Sequence, residues 1–327
     1  MSNWLITGGC GFIGLALLRR LLEQPGAMVR IVDNLSVGTR EDLGALARFS
    51  DIDPENPGAW SGVQLVVGDI LDQDLALRAA QGADVVVHLA ANTGVPASVA
   101  APRQDLMANV LGTFNYLEGA RQAGCPAFVF ASSGATVGEC IPPVHEELPS
   151  HPVSPYGASK LAGEGYCSAY HAAYGLATAS LRFGNVYGSG SGHKSSVVAA
   201  FLKRAFAGQP LVIYGDGTQT RDFIYIDDIV SAILAAATTP GIGGQAFQIA
   251  TNREHSVLEL AEMLVDILAA HGLGGVKTVY EQARPGDVRR NFSDTSKALR
   301  LLGWRPGYEL RQGLELTVKW FMGQGLN

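Results

Sequence analysis

Residues 4–23 combine an apolar strand, a glycine-rich turn and a helical pattern, and this order constrains the fold more than any other stretch. The strand Trp4–Thr7 precedes the sequence GGCGFIG, and the helical pattern of residues 15–23 follows. Gly8 permits a tight turn, Gly11 lets the backbone approach a pyrophosphate, and Gly14 lets the helix pack on the strand. Free N–H groups at the helix N-terminus favour that anion. The stretch predicts a dinucleotide site, with a glycine turn that binds nothing as the alternative.

The end of the second predicted strand bears on which dinucleotide binds. The strand Val29–Val32 leads into Asp33. A carboxylate about 20 residues past the glycines accepts hydrogen bonds from the adenosine ribose and repels a 2′-phosphate. We therefore expect NAD rather than NADP, and the alternative is that Asp33 is an ordinary turn residue.

Three further apolar segments predict that the sheet continues. They are Val63–Val67, Val85–Ala91 and Ala127–Ala131, and a helical pattern over Arg103–Gly124 separates the last two. Strands that alternate with helices form a parallel sheet, and ligands bind beyond the carboxyl ends of its strands. The expected fold is a Rossmann-type doubly wound α/β sheet.

Several residues follow these strands directly and are expected to face the cofactor. Asp69 follows the third strand and is placed at the adenine edge, while the small Ala90-Ala91 pair leaves room for the cofactor to pass. Ser133 follows the fifth strand. His88 lies within an apolar run, which favours a hydrogen-bonded core histidine over a catalytic one.

From residue 182 onward the alternation of strands and helices loosens. We expect an NAD-binding domain over residues 1–181, with a return segment near 220–250, and a smaller, interleaved C-terminal domain mainly over 182–327. Further helices are predicted over Val197–Ala207, Ser256–His271 and Leu310–Met322. Residues 44–62 are interpreted as a surface excursion, and the carboxylates of residues 222–228 as helix N-caps.

A tyrosine and a lysine four residues apart, Tyr156 and Lys160, share one face of a predicted helix. An ammonium beside a phenol favours the phenolate and lowers the tyrosine pKa from its reference of about 10. The phenol can then act as a general base near neutral pH. The pair alone is a weak signal, and it gains weight from the dinucleotide site predicted in the same chain.

Composition excludes several functional classes. Hydrophobic residues make up 47% of the 327 residues and charged residues 17%, which is typical of a globular protein. The formal net charge of −6 argues against a nucleic-acid partner. No apolar run approaches the roughly 18 residues of a membrane span, and no signal-peptide pattern is found. Four cysteines without metal-site spacing, at positions 10, 125, 140 and 167, indicate a reduced cytoplasmic protein without a metal.

The sequence resembles the extended short-chain dehydrogenase/reductase family, and within it the NAD-dependent nucleotide-sugar epimerases and dehydratases. The motifs that carry the resemblance are TGGCGFIG at 7–14, DNL at 33–35, GD at 68–69, HLAA at 88–91, NVLGT at 109–113, SS at 132–133, YGASK at 156–160, RFGNVYG at 182–188, YGDG at 214–217, TRDF at 220–223 and RPGD at 284–287. They occur in family order over nearly the whole chain. The resemblance implies an enzyme similar to UDP-glucose 4-epimerases.

The resemblance also implies catalytic roles. Tyr156 would be the acid/base, Lys160 would bind the nicotinamide ribose, and Ser133 would hydrogen-bond the reacting sugar hydroxyl. Residues 132–139 match the family's Ser-Ser-Ala-Ala-Val-Tyr-Gly-Glu without a gap, with Val137 in place of the tyrosine. A shift of one place would instead put Gly134 at the catalytic position, and we favour Ser133.

The cofactor-binding residues implied by the motifs border the expected crevice. They are Gly8, Gly11, Phe12, Ile13, Gly14, Asp33, Asn34, Ser36, Asp69, Ile70, Leu89, Ala90, Ala91, Asn109, Tyr156, Lys160, Phe183 and Val186.

A nucleotide sugar carries a diphosphate, which is best bound by cations with bidentate donors. The resemblance puts Arg221 and Arg284 at the diphosphate, and pairing with a nearby aspartate is the alternative for each. The basic pair His193-Lys194 lies in a glycine-rich loop over 189–196, which is interpreted as solvated, with contact to a substrate anion as the alternative. The expected substrate-binding residues are Thr93, Ser133, Asn185, Val197, Ile213, Tyr214, Arg221, Arg284, Asp287 and Asn291.

The expected reaction begins when Tyr156 removes the proton of the sugar 4-hydroxyl while the C4 hydride passes to NAD. Dehydratases of the family then use an Asp-Glu pair, and here Gly134 and Ala135 stand in those positions. Uronate epimerases or decarboxylases need a cation at the sugar carboxylate; the family's arginine is absent, and the pair at 193–194 is a candidate substitute. We expect a 4-epimerase, with uronate enzymes, dehydratases and a non-catalytic dinucleotide-binding protein as successive alternatives.

Two further expectations rest on the resemblance. Asn291 stands at a position that acts in related epimerases as a steric gate for the C2 substituent. Its small side chain predicts that UDP-N-acetylglucosamine and UDP-N-acetylgalactosamine are substrates alongside UDP-glucose and UDP-galactose. Relatives often dimerise through two helices, so a homodimer is expected.

Overall fold

The computed structural model describes residues 2–283 and 288–323 and is built from alternating strands and helices. The strands are β1 (Ser2–Thr7), β2 (Ala27–Asp33), β3 (Ser50–Ile52), β4 (Val63–Val67), β5 (Val85–His88), β6 (Ala127–Ser133), β7 (Ala177–Phe183), β8 (Asn185–Tyr187), β9 (Leu211–Tyr214), β10 (Thr220–Arg221), β11 (Phe223–Tyr225), β12 (Gln245–Ile249), β13 (His255–Ser256) and β14 (Thr278–Glu281). The helices are α1 (Phe12–Leu22), α2 (Arg40–Leu46), α3 (Gln73–Ala80), α4 (Val95–Ala100), α5 (Pro102–Leu106), α6 (Gly112–Gln122), α7 (Pro155–Tyr174), α8 (Val197–Phe206), α9 (Ile226–Thr238), α10 (Val257–Ala270), α11 (Ser296–Leu302) and α12 (Leu310–Gly323).

Within the described residues, eight strands form one sheet in the order β12-β7-β6-β5-β1-β2-β4-β3. Every neighbouring pair in it is parallel. The strand order reverses at β1, which pairs with β2 on one side and with β5 on the other. A reversal of this kind opens a crevice beyond the carboxyl ends of the strands. The predicted doubly wound α/β fold is confirmed.

Alternate residues of the central strands enter two apolar cores, one on each face of the sheet. On β1, Ile6 belongs to one core and Leu5 to the other, and both are fully buried. Val87 and Val86 divide in the same way on β5. Because successive side chains of a strand point to opposite faces, a strand covered on both faces is apolar throughout. Helices α1 and α9 cover the first face, and α3 and α6 the second.

The helix predicted over Arg103–Gly124 is interrupted. Helix α5 ends at Leu106, a π-helical turn occupies Met107–Leu111, and α6 begins at Gly112. The wider turn contains Asn109, whose side chain is fully buried. π-helical turns occur mostly at functional sites. The sequence pattern did not reveal this turn, since it shifts the apolar spacing by a single residue.

The surface excursion predicted over residues 44–62 also contains a strand of the main sheet. β3 lies at the sheet edge, parallel to β4. The buried guanidinium of Arg30 anchors the segment, because it donates to the carbonyl oxygens of Pro57 at 3.1 Å and Gly58 at 2.9 Å and lies 4.3 Å from the Trp60 ring centroid. Burial lowers the pKa of Arg30 to about 10. From the sequence, Arg30 was only a polar residue in an apolar strand, and its contacts with this segment were not apparent.

The second half of the chain forms a smaller unit of short strand pairs and helices. β9 pairs with β14, β8 with β11, and β10 with β13. The segment that carries α9 and β12 returns to the main sheet, where β12 pairs with β7. Helices α8, α10 and α12 match their predicted bounds to within one residue at each end.

The carboxylates between residues 222 and 228 do not cap a helix, so that expectation is wrong. Helix α9 begins at Ile226 without a side-chain cap. The buried Asp222 accepts a hydrogen bond from the backbone N–H of Thr251 at 2.8 Å. The buried Asp228 accepts one from the N–H of Gly307 at 2.7 Å. Both carboxylates tie distant loops to the start of this helix.

Candidate active site

The glycine turn between β1 and α1 has no room for a side chain at Gly8. Gly8 has a φ of +68°, and a Cβ there would lie 2.8 Å from the backbone nitrogen of Ala90. Helix α1 begins at Phe12, and its N-cap residue is Gly11, so no side chain caps the helix. The first N–H groups of a helix have no partners within it and attract an anion. The turn therefore fits the pyrophosphate of a dinucleotide.

Asp33 lies at the carboxyl end of β2 and is 9% exposed. Its Oδ2 accepts from the N–H of Cys10 at 2.9 Å, and its Oδ1 from the N–H of Leu35 at 2.8 Å. Burial raises the pKa of Asp33, and the two hydrogen bonds oppose that shift. Each oxygen keeps acceptor capacity for a ribose hydroxyl. Next to it, the Asn34 amide donates to Asp69 Oδ2 at 3.1 Å, which links two neighbouring strand ends.

The other residues predicted to bind the cofactor also follow or end strands of the sheet. The half-buried segment Leu89–Ala91 follows β5, and the Ala90 N–H donates to the Thr7 hydroxyl at 3.2 Å. The buried Ile70 follows β4, and the half-buried Phe183 ends β7. A dinucleotide lies across the carboxyl ends of such strands.

His88 is part of the core, as the sequence indicated. It is fully buried, with Nδ1 2.8 Å from the Thr7 hydroxyl and Nε2 3.2 Å from the Thr113 hydroxyl. Its ring stacks on Tyr116 at a centroid distance of 5.5 Å. Burial lowers the pKa of His88 to about 3, so the ring is neutral at physiological pH.

Tyr156 and Ser133 meet from α7 and β6. Tyr156 lies in the first turn of α7, whose N-cap Ser154 accepts a hydrogen bond from the N–H of Gly157. Ser133 lies close enough to the Tyr156 phenol to lower the tyrosine pKa by hydrogen bonding. At Gly134, by contrast, a Cβ would meet nothing within 4 Å. Ser133 is therefore the hydroxyl beside the tyrosine.

Lys160 does not lower the Tyr156 pKa in this structure, so that expectation is wrong here. Burial raises the pKa of Tyr156 above its ordinary value, and the hydrogen bond with Ser133 offsets part of the rise. The Lys160 ammonium is turned toward the carbonyl oxygen of Ala131, to which it donates at 2.9 Å, and lies 4.9 Å from the Phe130 ring centroid. Burial lowers the pKa of Lys160 to about 8.

Asn109 is fully buried, and its side chain contacts other parts of the protein instead of facing the crevice. Its Oδ1 accepts from the N–H of Asn92 at 2.8 Å, and its Nδ2 donates to the Asn92 carbonyl at 2.9 Å. The same Nδ2 lies 3.1 Å from the Ser159 hydroxyl on α7. Because these groups occupy the fully buried amide, Asn109 fixes the loop after β5 against the helix that carries Tyr156.

Two buried ionic groups near Lys160 were missed by sequence reasoning. Asp105 is 1% exposed, and Glu164 on α7 accepts from Arg182 Nε at 2.8 Å and Nη2 at 2.7 Å. The Ser132 hydroxyl donates to the same Glu164 carboxylate at 2.5 Å. A signal existed for Glu164, which follows Lys160 by four residues and so shares its helix face. For Asp105, the corresponding signal was its position four residues before Asn109.

The predicted diphosphate ligands are only partly within the described residues. Arg221 donates from Nη1 to the carbonyl oxygens of Thr220 at 2.7 Å and Val288 at 2.6 Å. Asn185 is exposed at the start of β8, with its Nδ2 3.4 Å from the Asp222 carbonyl. The other two predicted ligands of the nucleotide, Arg284 and Asp287, lie outside the described residues.

The remaining predicted substrate residues differ in how much surface they offer. Ile213 is fully buried in the core, so its side chain packs beneath β9 and offers no surface to a uracil; that expectation is corrected. Tyr214 and Asn291 are half-buried, and so is Val197 at the start of α8. Thr93 is exposed in the loop after β5.

The loop over residues 189–196 packs on the first half of the chain and is not simply solvated as predicted. The Lys194 ammonium lies 5.1 Å from the ring centroid of Phe12, the first residue of α1. Burial lowers the pKa of Lys194. His193 is exposed, and its Nε2 lies 3.3 Å from Asp42 Oδ2 on α2. The loop thus connects the two halves beside the glycine turn.

Over residues 2–283 and 288–323, no cluster of three or more His, Cys, Asp or Glu side chains could hold a metal ion. In the same part of the chain, no helix is both long enough and apolar enough to cross a membrane. Cys10, Cys125, Cys140 and Cys167 are free thiols.

Comparisons with known proteins agree with this geometry. The model of the NAD-dependent epimerase/dehydratase family matches residues 4–250. A UDP-glucose 4-epimerase of Mycolicibacterium smegmatis is 37% identical over 322 residues, which cover 97% of each chain. The structure of UDP-glucose 4-epimerase from Thermotoga maritima with UDP-glucose aligns at a TM-score of 0.87 with 34% identity and covers 99% of both chains. The structure of UDP-N-acetylglucosamine 4-epimerase from Methanobrevibacter ruminantium with UDP-N-acetylmuramic acid aligns at a TM-score of 0.87 with 31% identity. It also covers 99% of both chains.

Proposed function

The chain belongs to the NAD-dependent epimerase/dehydratase family, and we propose that it interconverts the 4-epimers of UDP-sugars, namely UDP-glucose with UDP-galactose and UDP-N-acetylglucosamine with UDP-N-acetylgalactosamine. The enzyme is an isomerase and depends on NAD. The observation that carries the proposal is the contact between Ser133 and Tyr156, one helical turn from Lys160 and at the carboxyl end of the sheet that forms the dinucleotide crevice.

In the proposed mechanism, Tyr156 as phenolate removes the proton of the sugar 4-hydroxyl, and Ser133 holds that hydroxyl by a hydrogen bond. The hydrogen bond of Ser133 to Tyr156 favours the phenolate against the effect of burial. NAD held in the dinucleotide crevice would supply the redox chemistry, as acceptor and donor of the C4 hydride. Tyr156 then returns the proton to the same 4-oxygen. Atoms and electrons balance, and no external acid is needed.

We assign the NAD contacts to residues of the first half. The turn that begins at Gly8 and ends in helix α1 holds the pyrophosphate, because a side chain would not fit there. Asp33 accepts from the adenosine ribose, and Asp69 with Asn34 lies at the adenine side. Lys160 holds the nicotinamide ribose, which requires its ammonium to share donors between the ribose and the Ala131 carbonyl.

The alternatives are disfavoured by particular side chains. Gly134 and Ala135 occupy the turn after β6 and carry no group that transfers protons, which argues against a 4,6-dehydratase. The cations proposed to replace the missing arginine of uronate enzymes are otherwise engaged, His193 with Asp42 and Lys194 with Phe12. A neutral sugar is therefore the preferred substrate.

We place the nucleotide sugar in the second half, mainly over residues 182–327, with the NAD-binding domain over 1–181. Arg221 and Asn185, together with Arg284, are proposed to bind the diphosphate, and Asp287 the uridine ribose. Tyr214 at the end of β9 is half-buried and is proposed to border the uracil. Thr93 and Val197 are proposed to complete the sugar side of the pocket.

Asn291 is proposed to admit the N-acetyl group. It is half-buried and smaller than tyrosine. In an Asn291→Tyr variant, we expect the kcat/KM for UDP-N-acetylglucosamine to fall at least about tenfold, the loss of about 1.4 kcal/mol of transition-state binding, while UDP-glucose turnover is kept. Unchanged turnover of the N-acetyl substrate in this variant would contradict the gate.

We also propose that the enzyme is a cytoplasmic homodimer. Exposed aromatic residues on α7 support an association surface, since Tyr166 is 41% and Tyr174 58% exposed. Four free cysteines support a reducing compartment. Light scattering on the purified protein tests the dimer, and a monomer mass would reject it.

Proton NMR of the purified protein with three substrates tests the function. UDP-glucose, UDP-N-acetylglucosamine and UDP-glucuronate are incubated separately, with and without added NAD. New signals of the galacto-configured sugar from the first two substrates are expected. A 4-keto-6-deoxy sugar or a pentose would instead identify a dehydratase or a decarboxylase, and no product from any substrate would reject the proposal.

A further inference from the structure

Asp105 is a buried carboxylate that the reaction described above does not use. It lies on α5 and is 1% exposed. Its Oδ1 accepts from Asn109 Nδ2 at 3.0 Å, whereas Oδ2 meets no hydrogen-bond donor among the described residues. A buried carboxylate is costly unless its charge is matched and its oxygens are hydrogen-bonded. A positive charge nearby is therefore required.

The cation that the Asp105 charge acts on is the buried Lys160, which lies on α7, the helix against which α5 packs. The Lys160 side chain is buried, and its ammonium donates to a carbonyl oxygen, which carries no full charge. Burial lowers the pKa of Lys160 to about 8, and the charge of Asp105 is the strongest influence that raises it. The charge of the carboxylate therefore favours the protonated form of Lys160.

No other group near Lys160 offers an unmatched negative charge within the described residues. Glu164 is already paired with a buried arginine of β7. Burial raises the pKa of the Cys167 thiol to about 12 and lowers that of His88 to about 3, so both are neutral at physiological pH. Asp105 is the carboxylate left to balance the ammonium.

Asp105 is also linked to the catalytic tyrosine through hydrogen bonds. It accepts from the Asn109 amide, which lies 3.1 Å from the Ser159 hydroxyl. That hydroxyl donates to the backbone carbonyl of Tyr156 at 3.0 Å. The π-helical turn gives Asn109 the position from which it reaches both elements.

We propose that Asp105 is a positioning residue of the catalytic centre, which orients Asn109 through one oxygen and balances the Lys160 ammonium through the charge of the other. This role rests on the proposed 4-epimerase. Asp105 acts through Lys160 and Tyr156, and touches neither substrate nor cofactor. Its removal changes the charge at the centre and so the pH range in which the enzyme works.

The direction of the pH effect follows from the signs. The negative charge of Asp105 raises both the pKa of Tyr156 and the pKa of Lys160. The reaction needs Tyr156 deprotonated and Lys160 protonated, so these two pKa values together set the two limbs of the kcat/KM profile. Without the charge both pKa values fall, so the whole bell-shaped profile moves to lower pH.

The test is an Asp105→Asn variant, which keeps the shape and the hydrogen bond to Asn109 but removes the charge. Both limbs of the kcat/KM profile are expected to shift down by about one pH unit. The matched control is Asp228→Asn, another buried carboxylate, which ties a loop to α9. The control should lower the melting temperature without moving either limb. Unmoved limbs in Asp105→Asn, whatever its kcat, overturn the proposal.

A double-mutant cycle with Lys160→Met tests the pairing without using activity. If the two charges stabilise each other, the Tm loss of the double variant is smaller than the sum of the two single losses. Additive losses overturn the pairing. The cycle decides this even if the wild type converts no UDP-sugar, which would reject the proposed function alone. If Asp105→Asn does not fold, a folded double variant supports the pairing and an unfolded one contradicts it.

Discussion

The two halves of the molecule present their proposed ligand-binding groups in different ways. In the first half, the groups are backbone N–H donors of the glycine turn and carboxylates that follow strands directly, such as Asp33 after β2. In the second half, Arg221 is held by the carbonyl of Val288, 67 residues further along the chain. The geometry of a site built from turns follows from the local sequence of each turn. The geometry of a site built from distant loops depends on how those loops pack against one another.

The difference implies that the two binding functions are separable. Damage to the glycine turn should remove NAD, and with it all activity. Damage to the loops of the second half should weaken substrate binding while NAD stays bound. The proposed catalytic pair, Ser133 and Tyr156, lies between them on β6 and α7, and its substitution should affect the chemical step alone.

The largest effect is expected from Tyr156→Phe, which keeps the ring and removes the hydroxyl of the proposed acid/base. We expect kcat to fall by about 10²–10⁴-fold, with bound NAD and Tm unchanged. The control is Tyr166→Phe on the same helix, whose side chain is 41% exposed. Full activity in Tyr156→Phe would reject the mechanism.

Gly8→Ala should remove NAD. The added Cβ would lie 2.8 Å from the Ala90 backbone, at a φ of +68°. The control Gly124→Ala has a similar φ of +65° but nothing within 4 Å of the new Cβ, so it shows the backbone strain alone. NAD released by acid from each purified protein is measured by absorbance. Equal NAD content in both variants would show that the close approach is unimportant.

Arg221→Met should raise the KM for the UDP-sugar about 10- to 100-fold, as expected for loss of hydrogen bonds worth about 1.5–3 kcal/mol to a charged group. NAD content should stay unchanged, in contrast to the glycine variant. The control is Arg253→Met in the same half, where the arginine is paired with Glu309 and its side chain is 58% exposed. Loss of NAD in Arg221→Met would break the distinction between the halves.

The smallest effect is expected where the halves touch. His193 and Asp42 form an exposed contact of 3.3 Å, with side chains 57% and 36% exposed. Because exposed ion pairs contribute about 0–1 kcal/mol, His193→Ala should change the free energy of unfolding by less than about 1 kcal/mol. Urea unfolding with NAD present measures it. A larger loss would mean that this loop holds the halves together.

The sheet, its switch point and the buried His88 were predictable because they depend on local order, apolar patterning and strand ends. The Ser133 contact with Tyr156 was also predictable, once the ungapped motif was chosen. The π-helical turn was not, because it changes the helix by one residue. Asp105 and Glu164 were missed because their charges matter only through groups that packing brings close.

Two errors have one physical cause. Helical spacing put Lys160 beside Tyr156, but it did not show that the ammonium turns toward the Ala131 carbonyl. Likewise, the strand β9 was located correctly, while the burial of Ile213 depended on what packs over it. The direction and burial of a side chain are set by tertiary packing, which spacing along one element does not contain.

The most direct measurement is proton NMR of the reaction run in D₂O with UDP-glucose. A hydride that leaves C4 and returns from the same bound NAD does not exchange with solvent. We therefore predict UDP-galactose that keeps protium at C4, with none formed by Tyr156→Phe above about 1% of the wild-type rate. Deuterium at C4 of the product would show that the carbon is inverted by proton exchange with solvent, and would contradict the account.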